Sequence, residues 1–514
     1  MARVPKEATP YLDALVAHAA DDPANFNVPG HKAGLAAPAP LAAALGRAAL
    51  ALDIPPVIHG VDTGVDPNPR DEAHRLAASA WGAARTWFLV NGASQANHTI
   101  CLAFAQRGRS VVVQRNIHAS TVDGIILADL DPVFVAPEID LERGAAHLVT
   151  PAALDRALAR ADAPAGVVVV SPTYNGMAAD VRELVDVAHA HGVPIAIDEA
   201  WGAHFPFHEG LPLDALRAGA DLVVSSTHKM LGSLTQSAML HLGSTELVAE
   251  EEVDRALKLT QTTSPNALLA ASLDAARRRA AVEGRSLLGR TILAARTLRE
   301  QIRAIPGLDV LDDRLVGSFG IAGTDPLHLA IDVRDSGRDG YAIQQELRRS
   351  GVLVELTTPT LIVAIRGMGE GERAAQPLVD GLRRAVGAQP QTAPRGRAVA
   401  IPPAWGELVE SPRAAFLSQT ERVPLDAAVG RIAAESLAVF PPGIPNVMPG
   451  ERVTQSVVAH VTDAVRAGAV VRGCGDPALT TLRVVAGRQR QTLVTGRPAL
   501  VPSARDLIRR PTAV

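Results

Sequence analysis

The chain has 514 residues, 47% of them hydrophobic and 20% charged, with a formal net charge of −4. That length leaves room for roughly two to four domains, each with its own core. The composition is that of a soluble globular protein, and the near-balanced charge gives no sign of a nucleic-acid or membrane surface. Only Cys101 and Cys474 are present, too few for a disulfide framework, so a reducing, cytoplasmic setting is expected. The N-terminus lacks the apolar region of a secretory signal, and no apolar run is long enough to span a membrane. Cations are nearly all arginine: the only lysines are Lys6, Lys32, Lys229 and Lys258.

The first segment, 1–65, contains "FNVPGHKAG" and an alanine-rich helical patch. From 66 to 300, short apolar runs alternate with helix-period stretches. The predicted strands are 110–114 ("SVVVQ"), 132–136, 166–171 ("GVVVVS"), 194–200 ("PIAIDEA"), 221–226 ("DLVVSS") and 237–242. Between them, "DVRELVDVAHAHG" carries both helix signals, Asp180 at its start and Gly192 past its end. Valine-rich strands separated by amphipathic helices predict an α/β fold with a mostly parallel sheet covered on both faces. Ligands in such a fold bind beyond the carboxyl ends of the strands. A long helical stretch leads into a smaller α/β domain over 301–388, with strands predicted in "LHLAIDV", "VLVEL" and "LIVAI". Residues 389–398 read as a linker, 399–475 as a third, C-terminal α+β domain, and 476–514 as a weakly ordered, arginine-rich tail.

Four stretches at predicted strand ends carry chemistry. Lys229 follows "DLVVSS"; a lysine desolvated there loses part of its preference for the charged form and becomes an amine nucleophile for a Schiff base. Asp198 closes "PIAID", where a buried carboxylate needs a partner such as a protonated pyridine nitrogen. After "WFLV", the run Asn91, Gly92, Ala93, Ser94, Gln95 opens a helix and offers free N–H groups to a phosphate. His118, beyond "VVVQ", has a flat ring that can stack on a flat cofactor. Each alone has a plain structural reading: a snorkelling lysine, two capped helices, a structural histidine. Their order along one presumed sheet points instead to pyridoxal 5′-phosphate (PLP) in an aminotransferase-like, fold-type-I architecture. No metal is called for.

The motifs "PGHKAG" (29–34), "NGASQAN" (91–97), "RNIHAS" (115–120), "SPTYNG" (171–176), "DEAWGAHF" (198–205), "STHKMLGSLTQ" (226–236) and "TTSP" (262–265) resemble those of the Orn/Lys/Arg decarboxylases. These are PLP enzymes acting on basic amino acids. "SPRAAF" (411–416) and "GRIAAESLAVFPPGIPNVMPGE" (430–451) resemble that family's own C-terminal domain, which separates it from generic aminotransferases. The chain starts almost directly at "PGHK", as do the shorter forms without an N-terminal wing domain. The resemblance implies that Lys229 holds PLP, that His228 contacts the phosphate or the substrate carboxylate, and that Asp198 pairs with the pyridine nitrogen. Ala200 would pack under the ring and His118 over it. Ala93, Ser94, Gln95 and Ser226 would serve the phosphate, with Ala93 standing where the family usually has a hydroxyl. Thr263 and Ser264 would reach the phosphate from a second subunit, making a homodimer or higher even oligomer. Glu355 and Glu451 are the carboxylates expected to receive the distal cation of the substrate. Phe440 replaces a usual tyrosine, and Trp201 stands where short forms often have histidine. The expected activity is decarboxylation of arginine, lysine or ornithine, feeding polyamine metabolism. Another PLP reaction (an aminotransferase or aldolase) and a non-catalytic PLP-binding regulatory subunit are the alternatives.

Overall fold

The valine-rich runs become the centre of a seven-stranded sheet in the computed structural model, which describes residues 4–244, 246–371, 375–387, 405–440, 444–466 and 469–487. Its strands are β1 (Arg85–Leu89), β2 (Ser110–Gln114), β3 (Asp131–Val135), β4 (Val167–Val170), β5 (Ile195–Asp198), β6 (Leu222–Ser225) and β7 (Ala238–Leu242). Their order across the sheet is β1-β7-β6-β5-β4-β2-β3. β7 runs antiparallel to both of its neighbours, and the remaining pairings are parallel. β1 therefore points the same way as β6, and all strands but β7 deliver their carboxyl ends to one edge.

Side chains alternate across a strand, and here both faces are apolar. Val111 and Val113, Val168, Ala196 and Val224 pack in one core with the helices Gly92–Ala105 and Ala119–Ala128. Val112, Val167, Val169, Ile197 and Val223 pack in another with Pro151–Leu158 and Val181–Ala190. The last helix starts where the sequence predicts: Asp180 accepts the N–H of Glu183 at 3.0 Å, and Gly192 just past its end takes a φ of +70°.

The helix Ala267–Arg303 leads from this unit to a four-stranded antiparallel sheet made of Asp309–Val310, His328–Asp332, Leu361–Ile365 and Leu356–Thr357. "VLVEL" departs from its prediction. Only Leu356 of it is in a strand, because the preceding residues run off the sheet edge and Leu353 is 83% exposed. The C-terminal unit packs small antiparallel sheets around Gln455–Arg466. The expected tail from 476 is corrected in part: Thr481–Val485 is a strand paired with Thr420–Pro424, and Leu482 and Val484 are fully buried. Arg483 between them lies on the more exposed face, as the alternation of a strand requires. Residues 488–514 of that tail and the expected linker 389–398 lie outside the described residues.

Arg115, the residue after β2, fastens the C-terminal unit to the large sheet. Its Nη2 lies 3.2 and 3.1 Å from the two carboxylate oxygens of Glu451, and its Nη1 donates to the Pro445 carbonyl at 2.6 Å. The guanidinium sits 5.2 Å from the Phe134 ring and 5.6 Å from that of Trp405. Both charged groups are buried, so each depends on the other. Glu451→Gln leaves the guanidinium unpaired and is expected to destabilise the protein by ~3–5 kcal/mol. The double replacement Arg115→Met/Glu451→Leu is expected to recover most of that loss, as read by calorimetric unfolding.

Candidate functional site

The carboxyl edge of the sheet gathers one chemical group per strand. β1 runs into Asn91 and the helix Gly92–Ala105, β2 into His118, β4 into the loop with Tyr174, β5 ends at Asp198, and β6 runs into the short helix Thr227–Met230, which carries His228 and Lys229. Gly92 is there for its backbone: φ is +71°, and its N–H donates to the Gln236 carbonyl at 2.7 Å. No side chain caps this helix, so the first-turn N–H groups of Ala93 and Ser94, with the positive end of the helix dipole, face outward as an anion site. Gln95 is buried; its Oε1 accepts the Asn91 N–H at 3.3 Å, while its Nε2 has no protein partner. Ser226 is buried, 3.4 Å by its Oγ from His228 Nδ1. That His228 nitrogen also lies 2.9 Å from the Ser237 carbonyl.

Asp198 is buried and held from two sides. Asn97 Nδ2 donates to its Oδ2 at 3.0 Å, and the Ala200 N–H donates to its Oδ1 at 3.1 Å. The same Asn97 amide donates to Ser120 Oγ at 3.0 Å, and Ser120 Oγ is 2.8 Å from His118 Nδ1. His118 caps its own helix by accepting the Ser120 N–H at 3.2 Å. A continuous polar chain thus fixes the carboxylate relative to the imidazole. Burial lowers the pKa of His118, with the Asp198 carboxylate pulling the other way.

Lys229 shares this pocket. Burial lowers the pKa of its ammonium, and the carboxylates of Asp198 and Glu355 oppose that shift. Its Nζ lies 4.1 Å from the centre of the Trp201 ring. Trp201 in turn meets the Tyr174 ring edge-on at 6.0 Å. Burial raises the pKa of the Tyr174 hydroxyl, and Asp198 and Glu355 add to it. Glu355 is exposed in the chain, and its charge acts on both Lys229 and Tyr174. Arg472, from the C-terminal unit, acts electrostatically on both His118 and Tyr174.

The expectation for Glu451 is corrected. Both of its oxygens face Arg115, and one also accepts the Met448 N–H at 2.9 Å, so a substrate cation there would strand a buried guanidinium. Thr263 and Ser264 stand apart on an exposed turn ahead of the long helix. Of Phe440, only the backbone in its strand is described. The sequence reading gave no role to Asn97, although a buried amide inside "NGASQAN" is the kind of polar residue on an apolar helix face that signals a site. Tyr174 enters that reading only as part of the motif "SPTYNG".

The residues fit PLP. A helix start without a side-chain cap awaits an anion, and Gln95 Nε2, Ser225 Oγ and Thr227 Oγ1 are buried polar atoms without protein partners around that edge. A carboxylate, a flat imidazole and an amine of lowered pKa complete the set. Among the described residues, no group of three His, Cys, Asp or Glu is arranged to hold a metal ion.

Comparison with known proteins gives the same direction. The family model described as "Orn/Lys/Arg decarboxylase, major domain" matches residues 9–319, and the one described as "Orn/Lys/Arg decarboxylase, C-terminal domain" matches 407–467. An arginine decarboxylase of Halalkalibacterium halodurans is 38% identical over 482 residues, covering 93% of this chain and 98% of that protein. One of Bacillus subtilis is 36% identical over 479 residues, with the same coverage. Among solved structures, lysine decarboxylase A from Pseudomonas aeruginosa superposes with a TM-score of 0.78 at 22% identity, covering 93% of this chain and 80% of that one. At that identity the likeness establishes the fold.

One local contact tests how the Tyr174 loop is seated. Gly176 has a φ of +78°, and a Cβ added there would run into the His328 side chain. Gly176→Ala is expected to cost ~1–3 kcal/mol, seen as a lower thermal midpoint.

Proposed function

The chain belongs to the Orn/Lys/Arg decarboxylase family, and from that premise we propose that it is a PLP-dependent arginine decarboxylase, releasing carbon dioxide and the corresponding amine, agmatine. The observation that carries the reading is the meeting of Lys229, Asp198 and His118 at one sheet edge, beside a helix start open to a phosphate. Arginine is chosen over lysine and ornithine because the relatives that match nearly the whole chain are named arginine decarboxylases. Decarboxylation leaves a primary amine at one end of the product and the guanidinium at the other, a substrate suited to polyamine formation.

PLP, when bound, supplies an electron sink for the pair left at Cα when the carboxylate departs. The chain's residues do the rest. Lys229 offers a nucleophilic amine, because burial releases part of its population from the ammonium form. Asp198, held by Asn97 and the Ala200 N–H, has lone pairs left with which to keep a ring nitrogen protonated. The N–H groups of Ala93 and Ser94, with Gln95 and Ser226, bind phosphate oxygens. His118 and Ala200 would hold the two faces of the cofactor between them. Trp201 and Tyr174 close the pocket against water, which strengthens each charge interaction inside it. Glu355 receives the guanidinium of the substrate. His228 or Lys229 returns the proton to Cα. Thr263 and Ser264, exposed in one chain, complete the phosphate site of a second copy, so the active unit is a homodimer. Among the described residues no helix is long and apolar enough to cross a membrane, which is compatible with a cytoplasmic enzyme.

The test is to incubate the PLP-loaded protein separately with arginine, lysine and ornithine, measuring carbon dioxide and amine. Arginine is expected to give both in equal amounts. Transfer of the amino group to a keto acid without carbon dioxide would overturn the reading in favour of another PLP reaction, and absence of any turnover would favour a regulatory subunit. Asp198→Asn is expected to lower turnover by about 10²–10³, the range for removing one electrostatic group from a site. Glu355→Gln is expected to raise KM for arginine by about tenfold or more with a smaller effect on kcat, since its contact with the distal cation is present in both ground and transition states.

A further inference from the structure

Three buried ionisable groups near the site take no part in the chemistry above. Asp325, His204 and His328 are fully buried. His328 Nδ1 lies 2.7 Å from Asp325 Oδ2, within hydrogen-bonding reach. His204 Nε2 is 3.1 Å from the same oxygen but out of line for a hydrogen bond. The other oxygen, Oδ1, accepts the Leu327 N–H at 2.9 Å. Burial alone would raise the Asp325 carboxyl; the two imidazoles overcome that and hold it below the usual carboxylate range. Arg299, from the long helix, closes the cluster by donating to the His328 carbonyl at 2.7 Å.

This cluster bridges two parts of the fold. His204 lies six residues beyond Asp198, in the large unit, and His328 opens a strand of the four-stranded sheet. What joins it to the site is Trp201. The His328 ring meets the Trp201 ring at 5.4 Å and 79°, an edge-to-face contact. Tyr174 makes a second contact of the same type at 6.0 Å and 63°. The indole, only 7% exposed, is thus fixed by two rings, and Lys229 Nζ stands over it at 4.1 Å from the ring centre. That separation is well inside the range in which an ammonium is attracted to the negative face of an indole.

We propose that Trp201 is a positioning residue: its ring seats the ammonium of Lys229 whenever that amine is not covalently engaged, and the buried His204–Asp325–His328 cluster holds the indole in place. The inference rests on Lys229 being the amine that the cofactor engages. The seat has a chemical use. A lysine displaced by the incoming substrate must wait within reach and neither swing into solvent nor pair tightly with Asp198, whose carboxylate is needed elsewhere. An aromatic face offers attraction without a proton acceptor, so the amine can lose its proton and return. Among the described residues, Asp198 and Glu355 act on Lys229 as charges and Trp201 as the ring face, while the ammonium in turn disfavours a charge on His118.

The experiment uses the full-length, cofactor-free protein. Lys229 is methylated with formaldehyde and cyanoborohydride across a range of pH, and its extent of reaction is read by peptide mass spectrometry; with four lysines in the chain, the signal of Lys229 is separable. Only the neutral amine reacts, so the midpoint reports the ammonium. Trp201→Met keeps an apolar side chain of useful bulk without the π face, and is expected to move the midpoint down by about one pH unit, with a smaller downward move for Trp201→Phe. His328→Gln, which frees the indole edge, is expected to move it in the same direction. An unmoved midpoint in folded Trp201→Met would overturn the seat, and an unmoved midpoint in His328→Gln would overturn the part given to the cluster. Should Trp201→Met not fold, the reciprocal variant Lys229→Met decides: it is expected to change the indole fluorescence that Trp201→Phe removes, and an unchanged signal overturns the proposal. Because no PLP or turnover enters these readings, their failure is distinct from failure of the carbon dioxide assay, which bears on the decarboxylase reading alone.

Discussion

A primary ammonium kept largely out of water at the end of a parallel strand is the constraint around which this molecule is arranged. Burial disfavours the charge of Lys229, and an uncompensated ammonium there would be expensive. The fold meets that cost with two carboxylates, Asp198 and Glu355, acting at a distance, and with the face of an indole at 4.1 Å. None of these is a tight ion pair. The amine is therefore stabilised enough to stay and weakly enough to react, the balance a nucleophilic lysine needs.

The rest of the architecture follows from placing those compensating groups. A parallel sheet brings the carboxyl ends of β1, β2, β4, β5 and β6 to one edge, so that residues more than a hundred positions apart, such as Asn97 and Asp198, bond directly. Apolar cores on both faces make the sheet stiff, and it holds its edge groups within hydrogen-bonding tolerance. The smaller sheet and the C-terminal unit are not ornaments on this scaffold. One supplies His328 against Trp201, and the other is locked to the end of β2 through Arg115 and Glu451. Every unit described thus touches the pocket or a residue that frames it.

The fold was legible wherever local pattern decided it. Apolar runs predicted β2, β4, β5 and β6 to within a residue or two, and Asp180 and Gly192 marked their helix correctly, because capping and alternation are local physics. The order of Lys229, Asp198, His118 and the Gly92 loop at strand ends was readable for the same reason. What failed was decided by long-range packing. "VLVEL" has the composition of a strand, but only its last residue joins the sheet edge, and Leu353 goes to solvent. Glu451 was indistinguishable in sequence from a free carboxylate; only its partner 336 positions away makes it structural. His204, Asp325 and His328 carry no spacing signal, since they assemble from two units across 121 or more residues in the chain. Asn97 and Tyr174 stood inside recognisable motifs, yet their partners Asp198 and Trp201, at and just beyond the end of β5, gave them their meaning.

The central claim is that Lys229, alone among four lysines, is the covalent anchor of the cofactor. It is tested most directly by treating the protein with PLP, reducing with borohydride, and locating the phosphopyridoxyl group by peptide mass spectrometry. The account predicts one modified lysine per chain, Lys229, and its loss in Lys229→Ala. A stable adduct at Lys6, Lys32 or Lys258 instead, or one that survives in Lys229→Ala, would contradict it.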